Sequence, residues 1–145
     1  MTTPSTLVLL DPTAADGETA LELIERTDTH IILVVLLSGP ASRSLRDFAR
    51  AEDTDMATAG WRYLEQVVER LALAPDQVLA MTAIGPSAAM ALADIAAAND
   101  IHRILVPGCT ERYEPGLPAM VGRCTEATIV VAGQAHSAAF AHSAA

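Results

Sequence analysis

The chain has 145 residues, 51% of them hydrophobic but only 3% aromatic. That is the size of one ordinary domain, which buries roughly two-thirds of its unfolded surface in a core here built from Leu, Val, Ile and Ala. Eighteen acidic against nine basic residues give a formal charge of −9, which repels nucleic-acid backbones and anionic membranes. The longest aliphatic run, Ile31 to Leu37, spans seven residues where a membrane-crossing helix needs about twenty, so no membrane anchor is expected.

The N-terminal MTTPST lacks the basic-then-apolar order of a secretory leader, and the expected location is cytoplasmic. Two cysteines, Cys109 and Cys124, without CxxC spacing, are too few for a disulfide framework and read as reduced thiols. His30, His102, His136 and His142 form no metal-ligand pattern, so no metal is expected.

Thr6 to Leu10 (TLVLL) is a buried first strand that ends at Asp11-Pro12, a pair that does not continue a strand. Thr13 to Arg26 carries Ala20, Leu21 and Ile24 at helical spacing, with Glu22 and Arg26 four apart, and is predicted as the first crossover helix. His30 to Leu37 has no alternation, as expected of a strand covered on both faces in the sheet interior. A break at Ser38-Gly39-Pro40 leads to a polar linker whose Arg43, Arg46 and Arg50 read as a solvated face, on a short helix if one forms. Met56, Gly60, Leu64, Val67, Val68 and Leu71 then mark an apolar stripe, a second helix after a cap at Thr54 and ended by Ala74-Pro75.

Gln77 to Ile84 alternates weakly, which suits a third strand near an edge. Gly85-Pro86-Ser87 stops it and caps an alanine-rich helix from Ala88 to Ala98, with Asn99 as a left-handed C-terminal residue. His102 to Pro107 is the fourth strand. A glycine loop from Gly108 to Gly116, a short helix around Pro118 to Glu126 and a fifth strand, Thr128 to Val131, follow. Residues 1 to 132 are read as one domain. Residues 133 to 145, where Ala-His-Ser-Ala-Ala occurs twice, are read as a flexible tail, with partner docking as the alternative.

Strands alternating with helical segments define a doubly wound, Rossmann-like α/β domain with a five-stranded parallel sheet and helices on both faces. In such sheets ligands sit beyond the carboxyl ends of the strands, which directs attention to Asp11 and to the loop from Gly108. Asp11 serves either as a ligand-binding carboxylate or as a cap for its own turn. Cys109 reads as a small packed thiol, and Trp61 and Tyr113 as packing or loop residues. No Ser-His-Asp order, carboxylate pair or Walker loop is present, so enzymatic activity is not expected.

From Thr6 to Val131 the chain resembles the universal stress protein family. The match is carried by the apolar strand ending in Asp11, the Gly85-Pro86 turn before an alanine-rich helix with Asn99-Asp100-Ile101 leading into strand four, and the glycine directly after that strand. The resemblance implies a strand order of 3-2-1-4-5, a stress-response or regulatory role, and a homodimer paired through the edge strand Thr128 to Val131. An exposed aliphatic edge is indeed a pairing template.

Nucleotide-binding members carry G-x2-G-x9-G-[ST] after strand four, where backbone amides surround phosphates. By resemblance the corresponding residues here are Asp11, Pro12, Val35, Gly108, Cys109 and Gly116. The loop is degenerate. Gly108 matches, but Glu111 stands at the second glycine, and Gly116 follows after seven residues instead of twelve, with Leu117 replacing the hydroxyl residue. Gly122 is excluded as the third glycine because only five residues would separate Arg123 from Ile129. The expectation is a module without an intact ATP motif and without a cofactor. Its alternative is an adenine-nucleotide binder with a modified loop.

Overall fold

Strand β1 (Ser5–Leu9) lies at the centre of the sheet, because its neighbours are recruited from both directions along the chain. In the computed structural model, which describes residues 5–12, 14, 17–85 and 87–133, β2 (Ile31–Leu36), β3 (Val78–Ala83), β4 (Ile101–Val106) and β5 (Thr128–Val131) complete a five-stranded sheet in the order β3-β2-β1-β4-β5. Every pairing is parallel. The class and strand order are those expected, and β2 is interior, with all six residues buried.

Period-two alternation divides the strand side chains between two cores. Leu7, Leu9, Ile32, Val34, Ile104 and Val106 face α3 (Ala88–Ala98) and α5 (Leu117–Cys124). Val8, Leu10, Ile31, Leu33, Val35 and Leu105 face α1 (Arg43–Ala51) and α2 (Met56–Leu71). With almost no aromatic residue available, small alanines let α3 approach the sheet: Ala88, Ala89, Ala93 and Ala96 are all buried. A further single helical turn, α4 (Thr110–Tyr113), follows β4.

Several local expectations change. The predicted crossover helix over Thr13 to Arg26 is a single 3-10 turn, Ala20–Leu23; residues 13, 15 and 16 of that stretch lie outside the described residues. Gly17 has a φ of +85°, and the Glu18 carbonyl accepts from the Gly108 amide at 2.8 Å. Tertiary bonding therefore uses backbone that a helix would need. The polar linker is the helix α1: Leu45 and Ala49 are buried, while Arg43, Arg46 and Arg50 are exposed. Asp55, not Thr54, caps α2, its carboxylate accepting from the Thr58 amide at 2.7 Å. The same helix stops earlier than Ala74-Pro75, at Ala72 with φ +53°. After α3 the left-handed residue is Asp100, at +52°, while Asn99 donates its side-chain amide to the Ile95 carbonyl at 2.8 Å. Ser87 does cap α3 through the Met90 amide. Pro86 and the tail beyond Gly133 lie outside the described residues. No helix among the described residues is long and apolar enough to cross a membrane.

Candidate functional site

The crossovers from β1 to β2 and from β3 to β4 leave the sheet in opposite directions, so the crevice between the carboxyl ends of β1 and β4 is the switch point of the fold. Parallel pairing in register, with Val8 beside Leu105, delivers Asp11 and Cys109 to that point from opposite ends of the sequence. Asp11 is 7% exposed and Cys109 1%. The Cys109 thiol donates to Asp11 Oδ2 at 3.1 Å, and the Tyr63 hydroxyl, projecting from α2, donates to the Asp11 carbonyl at 3.3 Å.

Burial pushes the Cys109 thiol up to about 12, reinforced by its hydrogen bond to Asp11 and by the charges of Asp11 and Glu18, with Arg112 opposing. Burial likewise raises Tyr63 to about 12; Arg70 opposes, and the Asp11 and Cys109 charges add to it. Both groups are protonated donors at neutral pH. A nucleophilic cysteine needs the reverse, a thiolate stabilised by nearby positive charge, so this trio holds the two strand ends together and does not activate sulfur.

Gly108 sits one residue before this thiol, and its role is packing. A Cβ built there would lie 2.5 Å from the Ala132 carbonyl oxygen and 3.4 Å from Cβ and Cγ of Glu18. Its amide is already bonded to the Glu18 carbonyl. Gly133, with φ +76°, also approaches Gly17, whose carbonyl oxygen lies 3.0 Å from a built Cβ. The segments Gly17–Glu18 and Ala132–Gly133 therefore close over the exit of β4. A bidentate pair fastens the first of these segments to α4: Arg112 donates to Glu18 Oε2 at 2.9 Å and Oε1 at 3.1 Å. That hydrogen bond holds Glu18 below, and Arg112 above, its ordinary range.

The loop after Gly108 is folded on itself. Glu111 Oε2 accepts from the Gly116 amide at 3.1 Å, and Gly116, with φ +83°, caps α5. Turn bonds hold the amides of Thr110, Arg112, Glu114 and Leu117. Glu114 Oε1 is buried without a hydrogen-bond partner and lies 3.8 Å from a Cβ built at Gly39.

Of the residues singled out from sequence, Asp11, Gly108 and Cys109 meet at the crevice. Pro12 follows Asp11 and is half-buried, Gly116 stands at the far end of the loop, and Val35 is sealed in the core beneath α1 and α2. Glu18 and Tyr63 are site residues that sequence reasoning missed. Only Tyr63 left a signal, four residues before the buried Val67 on the same helix.

A second polar cluster braces the opposite end of the sheet. Buried Asp28 accepts from Thr6 Oγ1 at 2.7 Å, from the Glu25 amide at 2.7 Å and from Arg103 at 3.2 Å, and Arg103 also reaches the Leu23 carbonyl. Among the described residues no group of three or more His, Cys, Asp or Glu is placed to hold a metal ion.

No protein-family model matches this chain, and no curated protein matches its sequence. A solved structure of a universal stress protein in complex with cAMP aligns with 89% of this chain and 96% of its own, at 15% identity and a TM-score of 0.43. The strand order observed here is the one that the sequence resemblance implies.

Proposed function

We propose that the chain is a small regulatory module of the universal-stress-protein type, homodimeric through the β5 edge, in which the strand-exit crevice is a structural closure and not an ATP site. The observation that carries this reading is the Gly108 environment. Its amide is bonded to the Glu18 carbonyl, and the space a phosphate would approach holds the backbone of Ala132. Electrostatics supports the same reading. Asp11 and Glu18 stand at the exit and Glu111 and Glu114 in the loop that follows it, Arg112 is engaged with Glu18, and a triphosphate would face more negative charge than positive.

The competing reading is an adenylate binder that opens this closure, and it makes a different prediction in the same experiment. Protein purified without added nucleotide is denatured and its supernatant analysed by mass spectrometry, while the native protein is titrated with Mg-ATP and with cAMP by calorimetry. The closure reading expects no released adenylate and no saturable heat. Stoichiometric nucleotide in the first assay, or saturable binding weakened by Arg112→Ala or Asp11→Ala in the second, overturns it.

A further inference from the structure

The packing of α5 on α3 gathers sulfur at one place on the surface, outside the closed crevice. Cys124, the last residue of α5, is exposed, and its thiol meets the Met90 thioether of α3 with 4.0 Å between Sγ and Sδ. Helix geometry brings a third sulfur to the same flank. At about 100° per residue, Gly122 and Met120 stand on opposite sides of buried Val121. The Gly122 side faces β5, since a Cβ built there meets Ile129 at 3.6 Å. Met120 and, one turn later, Cys124 therefore share the flank turned away from β5, the one that Cys124 presents to α3. Met90 is 52% and Met120 50% exposed, so neither thioether serves as a core filler, the ordinary work of methionine.

We infer that Met90, Met120 and Cys124 form a three-sulfur site for the soft monovalent cation Cu(I), with Cys124 bound as thiolate and the two methionines as neutral thioethers. The donor set selects the ion. Thiolate and thioether sulfur favour Cu(I), whereas oxygen donors suit hard cations, and the single carboxylate on α3, Asp94, is of the second kind. The spacing agrees with the chemistry. A metal–sulfur bond of about 2.3 Å sets three sulfurs in a trigonal plane about 4.0 Å apart. Cys124 and Met90 already stand at that separation, so an ion seated between them leaves both helices where they are. Met120 reaches in from the preceding turn through its three rotatable side-chain bonds.

Binding exchanges the thiol proton for the metal: the S–H bond breaks, the proton leaves to solvent, a Cu–S bond forms, and copper remains Cu(I) with no electron transferred. A molecule of formal charge −9 attracts the cation. The other thiol does not compete, because Cys109 is 1% exposed and bonded to Asp11. Two of the three donors are thioethers, which is why the site shows no His, Cys or carboxylate pattern in the sequence.

The test titrates the full chain, reduced and under anaerobic conditions, with Cu(I) held by a chromogenic Cu(I) chelator, and reads the copper environment by X-ray absorption. One Cu(I) per chain should leave the chelator and show three sulfurs at about 2.3 Å, and the bound metal should stop the reaction of Cys124 with a disulfide reagent. Zn(II) at equal concentration should displace none of it. Cys124→Ser should abolish the transfer, and Met90→Leu and Met120→Leu should each weaken it about tenfold or more. Met56→Leu, which removes a thioether at the start of α2, should leave it unchanged. The three site positions are exposed and leucine nearly conserves the volume of methionine; circular dichroism checks that each variant folds, and the absorption spectrum of the native chain decides the donor set without any variant. No transfer to the native chain, one copper shared between two chains, nitrogen or oxygen in place of sulfur around the copper, or methionine variants that bind as the native chain does, overturns the proposal.

Discussion

If Gly108 serves packing, replacing it with alanine must damage the fold with no ligand present. The built Cβ lies 2.5 Å from the Ala132 carbonyl oxygen, about 0.9 Å inside the 3.4 Å at which ordinary contact begins. The obstacle is backbone on both sides, so a side-chain rotation cannot relieve it. Relief requires moving Ala132 or Gly108, and each holds a 2.8 Å backbone hydrogen bond, to Val106 and to Glu18 respectively. Overpacking of this kind costs roughly 1–3 kcal/mol, and loosening two such bonds about 1 kcal/mol each. The alanine recovers about 0.4–1 kcal/mol through the unfolded chain, because the φ of Gly108 lies outside the left-handed region. The net expectation is a loss of about 2–4 kcal/mol, or roughly 7–13 °C in Tm for a domain of this size. Urea unfolding followed by circular dichroism measures it, with Gly122→Ala as the control. That position is helical, and its nearest contact is Ile129 Cγ1 at 3.6 Å, so alanine there should be neutral or stabilising by up to about 1 kcal/mol. Were Gly108→Ala as stable as the native chain, the packing argument would fail, and a glycine kept for close approach of a ligand would become the better account.

Two further expectations follow from the polar clusters. The Cys109 thiol, raised to about 12, should resist a disulfide reagent at pH 7.5, an ordinary assay pH about one unit below a free thiol's pKa. Exposed Cys124 should react at once, giving one fast thiol in the native protein and two after denaturation. Because the folded pKa is raised, the stabilisation from keeping this thiol protonated is complete below the free-thiol range and is lost as pH rises from there towards about 12; Cys109→Ser should change the alkaline limb of a stability profile. At the other end of the sheet, Arg103→Met leaves Asp28, whose side chain is 2% exposed, without its cation, a loss expected to be about 2–4 kcal/mol by urea unfolding. Adding Asp28→Asn to that variant should recover part of the loss; no recovery would mean that the charge pair is not what the mutation removed.

Strand-level architecture was legible because uninterrupted Val, Leu and Ile runs are long enough to be unambiguous. The run Ile31 to Leu36 is fully buried, and Thr128 to Val131 begins and ends where its sequence does. The alanine-rich helix was legible too, since Ser87 caps it as its sequence signals. The Thr13 to Arg26 stretch misled because helical spacing of Ala20, Leu21 and Ile24 is a local signal, whereas the contacts that decide its shape run from Glu18 to Gly108 and Arg112, some ninety residues away. The same distance hid the site. Asp11 and Gly108 were visible as strand-exit residues, but nothing in sequence places Tyr63 under Asp11 or the Ala132 carbonyl against Gly108. A glycine at a phosphate-loop position and a glycine at a close backbone crossing look alike until the opposing backbone is placed.

The closure of the β1/β4 exit is tested most directly at the Gly108 amide itself. Amide hydrogen exchange and the proton–nitrogen correlation spectrum are recorded with and without Mg-ATP. The account predicts that the Gly108 N–H, bonded to the Glu18 carbonyl at 2.8 Å, exchanges slowly in the free protein and that its resonance does not move on titration. A fast-exchanging Gly108 amide, or saturable shifts at Gly108, Cys109 and Thr110 as nucleotide is added, would contradict it.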